Sequence, residues 1–399
     1  MTLSVEFEEF ETGAWQSEYR FGCCSQAFDE DVTSFLSPLS RLILGDRKAK
    51  SYPDLVAFAF FIRKANLKKM LGTDLNTFSQ RGWGTVLHIA ASNIPLNFAY
   101  SLVFSMLAGN SNIVRLPSQT HEQSFYLIKI IEKILLSSDF EELYSKTLFI
   151  KSERGSDRLA DVASIVDGLV VWGGDHTVKH FMDLPKKVGV VELYFPSKVS
   201  SCLINLDSFV ALSDDSQLKL AEKFYNDTFL FDQNACSSPS KCFWVLGKFS
   251  AFEKKKTFWD NLEIVKKRKG YKISAMALVD RSLDIFQNIC VGARPYRIEK
   301  HSNSTWLVQG SYCDDPAGRF GLFNEISVSR VSDVFTHLRQ NEQTLTYFGF
   351  DRDEILKEMQ KQDFCNIDRL VPIGSALEMS HIWDGKNIIN VLSRALNSC

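Results

Sequence analysis

The most constraining feature of this sequence is a regular alternation of apolar runs and amphipathic segments between about Gly82 and Asp207. The runs GTVLHIAA, SNIVRL, KTLFI, DGLVVWGG and GVVELYF are apolar at most consecutive positions. Such runs are typical of strands buried on both faces of a parallel sheet. Each of the segments that separate them has its apolar residues at helical spacing. The pattern therefore predicts a doubly wound α/β domain.

The length of the chain indicates more than one hydrophobic core. It has 399 residues, of which 45% are hydrophobic, and single cores stop growing near about 250–300 residues. A second strand and helix pattern begins near Ser213 and includes the strand-like run EQTLTYFGF. We therefore expect a second α/β domain after the first.

Charge and cysteine usage exclude several classes of protein. The formal net charge is -2, so the chain lacks the basic excess that nucleic-acid binding requires. The longest apolar run, from Ile94 to Ala108, is shorter than the ~20 residues needed to span a bilayer. The nine cysteines include no CxxC pair and no zinc-ligand spacing with histidine. We expect a cytoplasmic protein with free thiols, without a membrane span and without a metal.

Cys236 is the candidate nucleophile. It lies in the small polar turn NACSSP, after an amphipathic segment and before an apolar one. Small neighbours leave room for a substrate, and a reactive cysteine needs partial exposure. The alternative is a structural thiol, which is the role of most cysteines.

Four further positions lie where strands of the first domain are predicted to end. Asn93 follows a strand and would donate to an oxyanion or cap a helix. Arg115 would bind a phosphate or pair with a surface carboxylate. The Gly173–Gly174 pair would offer backbone amides to a phosphate or form a tight turn. Glu192 would act as a buried base or as a strand-end charge.

The order of these features resembles the aldehyde dehydrogenase superfamily. The segment SNIPLNFAYSLVFSMLAGNSNIVRLPSQT resembles the part of that superfamily that carries the oxyanion donor and a strand end that contacts the cofactor. The segment DQNACSSP resembles the loop that carries its catalytic cysteine. The closer similarity is to the LuxC-type acyl-CoA reductases, with NACSSP, EQTLTYFG, DRLVPIG and WDG followed by LSR. The resemblance runs from about Gly82 to Arg394.

The resemblance implies roles for three catalytic positions. Cys236 becomes the nucleophile, and Asn93 becomes the oxyanion donor together with the Cys236 backbone amide. Glu192 stands in E-L-Y-F, where the superfamily has E-L-G-G. It would orient the thiol, move a proton or be structural.

The resemblance also implies a nicotinamide cofactor. Ser118 stands where NAD-preferring relatives place a glutamate, whose charge would repel a 2′-phosphate. With Arg115 nearby, this favours NADP(H). The residues expected to contact the cofactor are Ala91, Ser92, Arg115, Ser118, Gly173 and Gly174.

The fold and activity follow from the same resemblance. We expect a three-part aldehyde dehydrogenase-like fold with a small oligomerisation element. Residues 1–207 form the N-terminal region and cofactor domain, 208–375 the catalytic domain, and 376–399 a tail that packs on the first domain or on a neighbouring subunit.

The expected activity is NADPH-dependent reduction of an acyl-CoA or acyl-carrier thioester to an aldehyde. The alternatives are an oxidative aldehyde dehydrogenase and a non-catalytic acyl-binding subunit of a reductase complex. The family also implies a homo-oligomer and an acyl-activating synthetase as a partner.

Overall fold

A computed structural model describes residues 8–9, 19–71, 80–117, 121–152, 156–247, 252–290, 294–311, 318–362 and 366–396. The chain forms two compact units. The first contains the residues up to Pro196 together with those from Met379 onward, and the second contains Ser197–Glu378. The second unit is therefore inserted into the sequence of the first.

The strands are, in chain order, β1 (Glu8–Glu9), β2 (Gln80–Gly82), β3 (Thr85–Ile89), β4 (Ser111–Leu116), β5 (Thr147–Lys151), β6 (Gly168–Trp172), β7 (Val191–Phe195), β8 (Val199–Asn205), β9 (Pro239–Val245), β10 (Arg294–Lys300), β11 (Trp306–Ser311), β12 (Leu322–Val328), β13 (Glu342–Phe348), β14 (Arg369–Pro372), β15 (Ile382–Trp383), β16 (Lys386–Asn387) and β17 (Ser393–Ala395).

The α-helices are α1 (Glu30–Gly45), α2 (Pro53–Phe61), α3 (Lys64–Leu71), α4 (Asn97–Leu107), α5 (Glu122–Leu135), α6 (Glu141–Ser145), α7 (Asp157–Ile165), α8 (Asp175–Asp183), α9 (Leu206–Val210), α10 (Asp214–Thr228), α11 (Phe252–Arg268), α12 (Ala275–Cys290), α13 (Val331–Val334), α14 (Arg352–Gln360) and α15 (Ile388–Val391).

The main sheet of the first unit has the strand order β1-β5-β4-β3-β6-β7. Strands β3 to β7 pair in parallel, and β1 adds an antiparallel edge to β5. Every residue of β3, β4 and β6 is buried, so both faces of the sheet are covered. The predicted α/β fold with parallel strands is confirmed.

The C-terminal tail returns to the first unit. β17 pairs antiparallel with β2, and the indole of Trp83 donates a hydrogen bond of 3.1 Å to the carbonyl of Val391. The side-chain amide of Asn110 donates to the carbonyl of Leu392 at 2.8 Å. These long-range bonds tie residues 391–395 to the start of the main sheet.

The second unit contains a sheet of order β10-β11-β12-β9-β8-β13-β14, in which β10 alone is antiparallel to its neighbour. β8 pairs with both β9 and β13. The boundary predicted at residue 207 is therefore corrected to Pro196, because β8 belongs to the second sheet. The boundary predicted at 375 lies at Glu378.

None of the helices in the described part of the chain is long and apolar enough to cross a membrane. Across the same residues, no group of three or more His, Cys, Asp or Glu side chains is arranged to hold a metal ion.

Candidate active site

The carboxyl edge of the first sheet has a topological switch point between β3 and β6. β4 and β5 lie on one side of β3, while β6 and β7 lie on the other. In open α/β sheets of this order, ligands bind outside the carboxyl ends of the strands at such a point. Ala91, Ser92 and Asn93 follow β3, and Gly173 and Gly174 follow β6. The structure therefore brings these predicted residues to one edge.

The loop that carries Asn93 is fixed on both sides. The Ala91 amide donates to Asn97 Oδ1 at 3.0 Å, and His121 Nε2 donates to the carbonyl of Ser92 at 3.0 Å. The side chain of Asn93 itself is exposed. The N-cap of α4 is Leu96, so the alternative that Asn93 caps this helix is wrong.

The glycine pair opens α8. Gly174 is the N-cap of this helix and is exposed, which leaves the first amides of α8 unobstructed by a side chain. A Cβ on Gly173 would lie 3.1 Å from the side chain of Thr177, which is tighter than ordinary van der Waals contact. A larger residue at position 173 would therefore require Thr177 of α8 to shift by a few tenths of an ångström.

Arg115 does not present its charge to this edge. The side chain is fully buried, and its Nε and Nη2 donate to the carbonyl of Ser152 at 2.9 and 2.7 Å. Its guanidinium therefore links the end of β4 to the loop after β5. The two sequence interpretations of Arg115, a phosphate ligand and a partner of a surface carboxylate, stay predictions, and the burial shows that the side chain also has a structural role. Ser118 lies outside the described residues.

Glu192 lies away from the carboxyl edge. It is the second residue of β7, in register with Leu169 near the start of β6, and not the end of a strand as predicted. It lies three steps before Phe195, the last residue of β7, which is about 10 Å along a strand. Its carboxylate pairs with Lys186 Nζ at 3.0 Å. The structure does not bring Glu192 together with the residues after β3 and β6.

A buried polar network lies beneath the switch point. His88 Nδ1 and Nε2 lie 2.7 Å from Ser101 Oγ and 3.1 Å from Asn112 Oδ1. The Trp172 indole donates to the same Ser101 hydroxyl at 3.0 Å. Burial lowers the pKa of His88 to about 4, so the ring is neutral. The network links β3, β4, β6 and α4 and was not identified from the sequence.

The second unit carries Cys236 in a short turn between α10 and β9. The turn is closed by a hydrogen bond of 2.9 Å from the Ser238 amide to the carbonyl of Ala235. Cys236 is half-buried. Just before it, Asp232 and Gln233 have φ angles of 50° and 62°, in the left-handed region that non-glycine residues rarely adopt. Such strain is maintained only where neighbouring groups enforce it.

The side chain of Gln233 supplies that enforcement. It is buried, and its amide nitrogen donates to the carbonyls of Pro239 and Leu322 at 2.9 and 3.2 Å. Its oxygen accepts from the Gly321 amide at 2.9 Å. Gln233 thus joins the start of β9 to β12 and fixes the backbone three residues before Cys236.

Ser200 binds the cysteine residue directly. Its hydroxyl donates to the Cys236 carbonyl at 2.7 Å and accepts from the Thr344 amide at 3.1 Å. Ser200 lies on β8 where the register shifts against both neighbouring strands, so its hydroxyl occupies an interruption of the ladder. Ser200 is fully buried, which protects both bonds from water.

Asp227 anchors the turn from the end of α10. Its carboxylate oxygens accept from the Gly374 and Ala376 amides at 2.6 and 2.9 Å. Its own carbonyl accepts from the hydroxyl of Ser238 at 2.7 Å. Burial raises the pKa of this carboxyl group to about 7, although the two amide bonds oppose the rise. Gly374 has φ of 104°, so a side chain there would be strained.

The other described cysteines lack this combination. Cys202 and Cys242 are fully buried, and burial raises the pKa of both thiols, which makes them poor nucleophiles. Cys23 and Cys24 are half-buried in the first unit, and Cys290 is exposed on α12. Cys313, Cys365 and Cys399 lie outside the described residues.

Sequence reasoning missed the side chains that support the turn. Asp227 had a detectable signal, because it lies on the same face of α10 as the buried Leu220 and Phe224. A polar residue on an apolar helix face predicts a buried hydrogen-bonding role. No comparable sequence signal pointed to Ser200, because its hydrogen-bond partner, the Cys236 carbonyl, lies 36 residues away on another segment.

A model of the family described as acyl-CoA reductase (LuxC) matches residues 61–267, just over half of the chain. The chain belongs to the LuxC acyl-CoA reductase family. The matched segment includes the loops after β3 and β6 and the whole Cys236 turn.

Relatives of the LuxC family show the same similarity at low identity. The chain is 24% identical over 286 residues to a long-chain acyl-protein thioester reductase of Vibrio harveyi, covering 67% of this chain and 54% of the relative. It is 23% identical over 263 residues to long-chain acyl-protein thioester reductase 2 of Photobacterium leiognathi, covering 63% and 50%. The chain spans about half the length of the curated relatives it matches.

Solved structures support the fold of this LuxC-family chain. An aldehyde dehydrogenase of Brucella melitensis matches with a TM-score of 0.63 at 12% identity, covering 93% of this chain and 84% of that one. A benzaldehyde dehydrogenase of Corynebacterium glutamicum, described as NAD-dependent, matches with a TM-score of 0.62 at 11% identity, covering 91% and 84%. The aldehyde dehydrogenase-like fold is thereby confirmed.

Proposed function

We propose that this chain reduces an acyl thioester to an aldehyde, with Cys236 as the nucleophile and a nicotinamide dinucleotide as the hydride source. The observation that carries the proposal is the Cys236 turn. A half-buried cysteine follows two left-handed residues, and Gln233, Ser200 and Asp227 hold its backbone. Preorganisation of this kind is typical of catalytic nucleophiles, and the related LuxC-family proteins are named as thioester reductases.

The first step is an acyl transfer to the chain. The Cys236 thiolate attacks the thioester carbonyl carbon, and the donor thiol leaves with a proton, so that a thioester links the acyl group to Cys236. Ser200 and Gln233 fix the turn, which limits the positions that the sulfur can reach. We assign the oxyanion to the Asn93 amide and the Cys236 backbone amide, as the family resemblance implies.

The carboxyl edge of the first sheet fits a dinucleotide. The strand order forms a switch point between β3 and β6, and the exposed Gly174 opens α8 at that edge. Ala91, Ser92, Gly173 and Gly174 would hold the dinucleotide, through the loop after β3 and the first amides of α8. Such a cofactor supplies the hydride that converts the acyl-enzyme to a thiohemiacetal. Collapse of that adduct releases the aldehyde and regenerates Cys236.

The proposed preference for NADP(H) rests on the family resemblance. Arg115 gives it no support, because its guanidinium is buried against the carbonyl of Ser152. Glu192 has no step in this mechanism, because it pairs with Lys186 near the start of β7.

The names of the relatives favour a protein-bound acyl donor. The Vibrio harveyi and Photobacterium leiognathi relatives are both named for acyl-protein thioesters. We therefore propose that an acyl group carried on a partner, such as an acyl-activating synthetase, is transferred to Cys236. Acyl-CoA thioesters serve as the simpler donors of the same chemistry.

The testing experiment measures cofactor oxidation by the purified chain. NADPH and NADH are each supplied with thioesters from acetyl-CoA to palmitoyl-CoA, and with the same acyl groups on a carrier protein. Cys236→Ala should reduce the rate at least about 10³-fold, whereas Cys290→Ala, which removes an exposed thiol elsewhere, should leave it unchanged. Asn93→Ala should reduce kcat by about 10²–10³-fold.

Acyl transfer is measured separately from reduction. Radiolabelled acyl thioester without cofactor should label Cys236 and leave Cys236→Ala unlabelled. Labelling without cofactor oxidation would identify the chain as the non-catalytic acyl-binding subunit. Equal labelling of the wild type and Cys236→Ala would contradict the proposal.

A further inference from the structure

Three buried polar side chains lie in a row across the second sheet, beside the strand residue that holds the Cys236 turn. Lys241 of β9 and Glu342 of β13 are 5% and 1% exposed, and Lys241 Nζ lies 2.5 Å from Glu342 Oε1. Ser201 of β8 is also fully buried, and its hydroxyl donates to Glu342 Oε2 at 2.9 Å. Because β8 lies between β9 and β13, the ion pair spans three strands. The proposed mechanism does not use it.

The ion pair lies where the register of β8 shifts against both of its neighbours. In β9, one extra residue falls between Pro239 and Lys241, the partners of Ser200 and Ser201. In β13, one extra residue likewise falls opposite Ser200, between the partners of the residues on either side of it. An extra residue disrupts the ladder locally. The register of β8 at Ser200 therefore depends on side chains as well as on backbone hydrogen bonds.

Ser200 and Ser201 face opposite sides of the sheet, as consecutive strand residues do. Ser200 faces the turn, because its hydroxyl donates to the Cys236 carbonyl at 2.7 Å. Ser201 faces the other side, where Leu203 and Leu345 pack in one apolar cluster. The ion pair on that side is thus separated from the turn by β8 alone. A change in the register of β8 would reach Cys236 through Ser200.

Stability alone does not account for an ion pair in this core. Desolvation of two buried charges costs about as much as their attraction returns, and apolar side chains of the same size are often equally or more stable. Separation of the two charges, in contrast, leaves each of them buried without its partner, which is strongly destabilising. A slip of β9 or β13 against β8 would separate Lys241 from Glu342. The pair therefore favours one register over the alternatives.

We propose that the Lys241–Glu342 ion pair, acting through Ser201, fixes the register of β8 and thereby positions Cys236 for attack on the thioester. This inference rests on the proposed function of Cys236. The three side chains are positioning residues, because they act through Ser200 and the backbone of β8. Displacement of a reacting group by about 1 Å costs up to about 10²-fold in rate, so a small shift of the turn is sufficient for a measurable effect.

The first test replaces the row by apolar side chains of similar size, in the combined variant Ser201→Ala, Lys241→Met and Glu342→Met, which leaves neither charge alone. We expect its urea midpoint to equal or exceed that of the wild type. Alkylation of Cys236 by iodoacetamide, measured by peptide mass spectrometry, should become at least about 5-fold faster, because the half-buried turn opens more often once its support is free to shift.

The control makes the same change at an ion pair of the first unit. Lys146 Nζ lies 2.5 Å from Glu142 Oε1, and Lys146 is buried. Lys146→Met combined with Glu142→Met should leave the alkylation rate of Cys236 unchanged. An equal change of that rate in the control and in the apolar variant would contradict the proposal.

A second test separates positioning from a general loosening of the sheet. Ser200→Ala and the apolar variant should each lower kcat for thioester reduction about 10-fold with KM unchanged. Their combination should lower kcat no further, because both act through the hydrogen bond from Ser200 to Cys236. Additive losses would show that the ion pair does not act through Ser200 and would contradict the inference.

The inference is overturned if the apolar variant is folded and alkylates Cys236 at the wild-type rate, whatever its urea midpoint. If the apolar variant does not fold, Ser201→Ala decides, because it keeps the ion pair and removes only its bond to β8. Alkylation about 3-fold faster than in the wild type supports the proposal, and an unchanged rate overturns it. If the wild type oxidises no cofactor with any thioester, the proposed function fails, and the alkylation rates still decide whether the ion pair positions Cys236.

Discussion

The carboxyl edge of the first sheet and the Cys236 turn of the second unit are built in different ways. The edge is placed by the order of parallel strands, and the groups it presents are backbone amides and the exposed Asn93. The turn is placed by side chains that reach across 36, 89 and 147 residues of sequence, from Ser200, Gln233 and Asp227. The edge therefore depends on topology, whereas the turn depends on a few individual hydrogen bonds.

Among the substitutions that test this difference, Gln233→Ala is expected to have the largest effect on stability. The change leaves two buried carbonyls and the Gly321 amide without their partner, at a cost of about 4 kcal/mol in the free energy of unfolding. The left-handed backbone before Cys236 would also relax. Urea unfolding measures the first effect, and the rate of iodoacetamide labelling at Cys236 measures the second. Gln287→Ala, at an exposed glutamine, is the control, and a loss below about 1 kcal/mol would show that the turn is fixed by other groups.

The next effect concerns pH in the first unit. Because the pKa of His88 is lowered from 6.5 to about 4 in the folded state, the unfolded chain binds more protons between these values. The free energy of unfolding should therefore fall as pH decreases from 6.5 to 4, by about 3 kcal/mol. The slope should be lost in His88→Gln and kept in His176→Gln, at an exposed histidine. An unchanged slope in His88→Gln would assign the pH dependence elsewhere.

Asp227→Ala should have an intermediate effect. It leaves the amides of Gly374 and Ala376 without an acceptor, at a cost of about 2 kcal/mol. Asp227→Asn keeps one acceptor oxygen and should cost about half as much. Chemical denaturation of both variants measures the difference. Equal stability of the alanine variant and the wild type would show that this carboxyl group does not anchor the turn.

The smallest effect is expected for Ser200→Ala, which removes one hydroxyl and costs about 1.5 kcal/mol in stability. Its signature is catalytic, because the hydroxyl acts on the position of Cys236. We expect kcat to fall about 10-fold with an unchanged KM, and Ser200→Thr to restore it. Ser40→Ala, at a buried serine of the first unit whose hydroxyl donates to the carbonyl of Ala59, is the control. A rise in KM alone would indicate a role in binding.

The sequence predicted the first sheet well because its strands are local apolar runs. β4 spans the predicted run SNIVRL, and β6 begins and ends within DGLVVWGG. Gly109 follows the end of α4, with φ of 90° and no room for a Cβ beside the carbonyl of Ser25.

The remaining errors arise from contacts that no local pattern encodes. β8 looks like a further strand of the first sheet, yet its partners are β9 and β13, which lie far along the chain. Arg115 was expected to contact a ligand, and only the fold shows that its guanidinium donates a hydrogen bond to the carbonyl of Ser152. Glu192 was placed at the wrong end of β7 because apolar residues extend on both sides of it.

The return of the tail has a consequence for how this protein is made. Trp83 finds its partner Val391 only 308 residues later, and ribosomes add about 5–20 residues per second. The first unit therefore waits on the order of 15–60 s for its closing strand, while the inserted unit is synthesised. During that interval the nascent chain exposes the surface that β17 and α15 later cover, and transiently exposed apolar surface and unpaired strand edges of this kind favour aggregation.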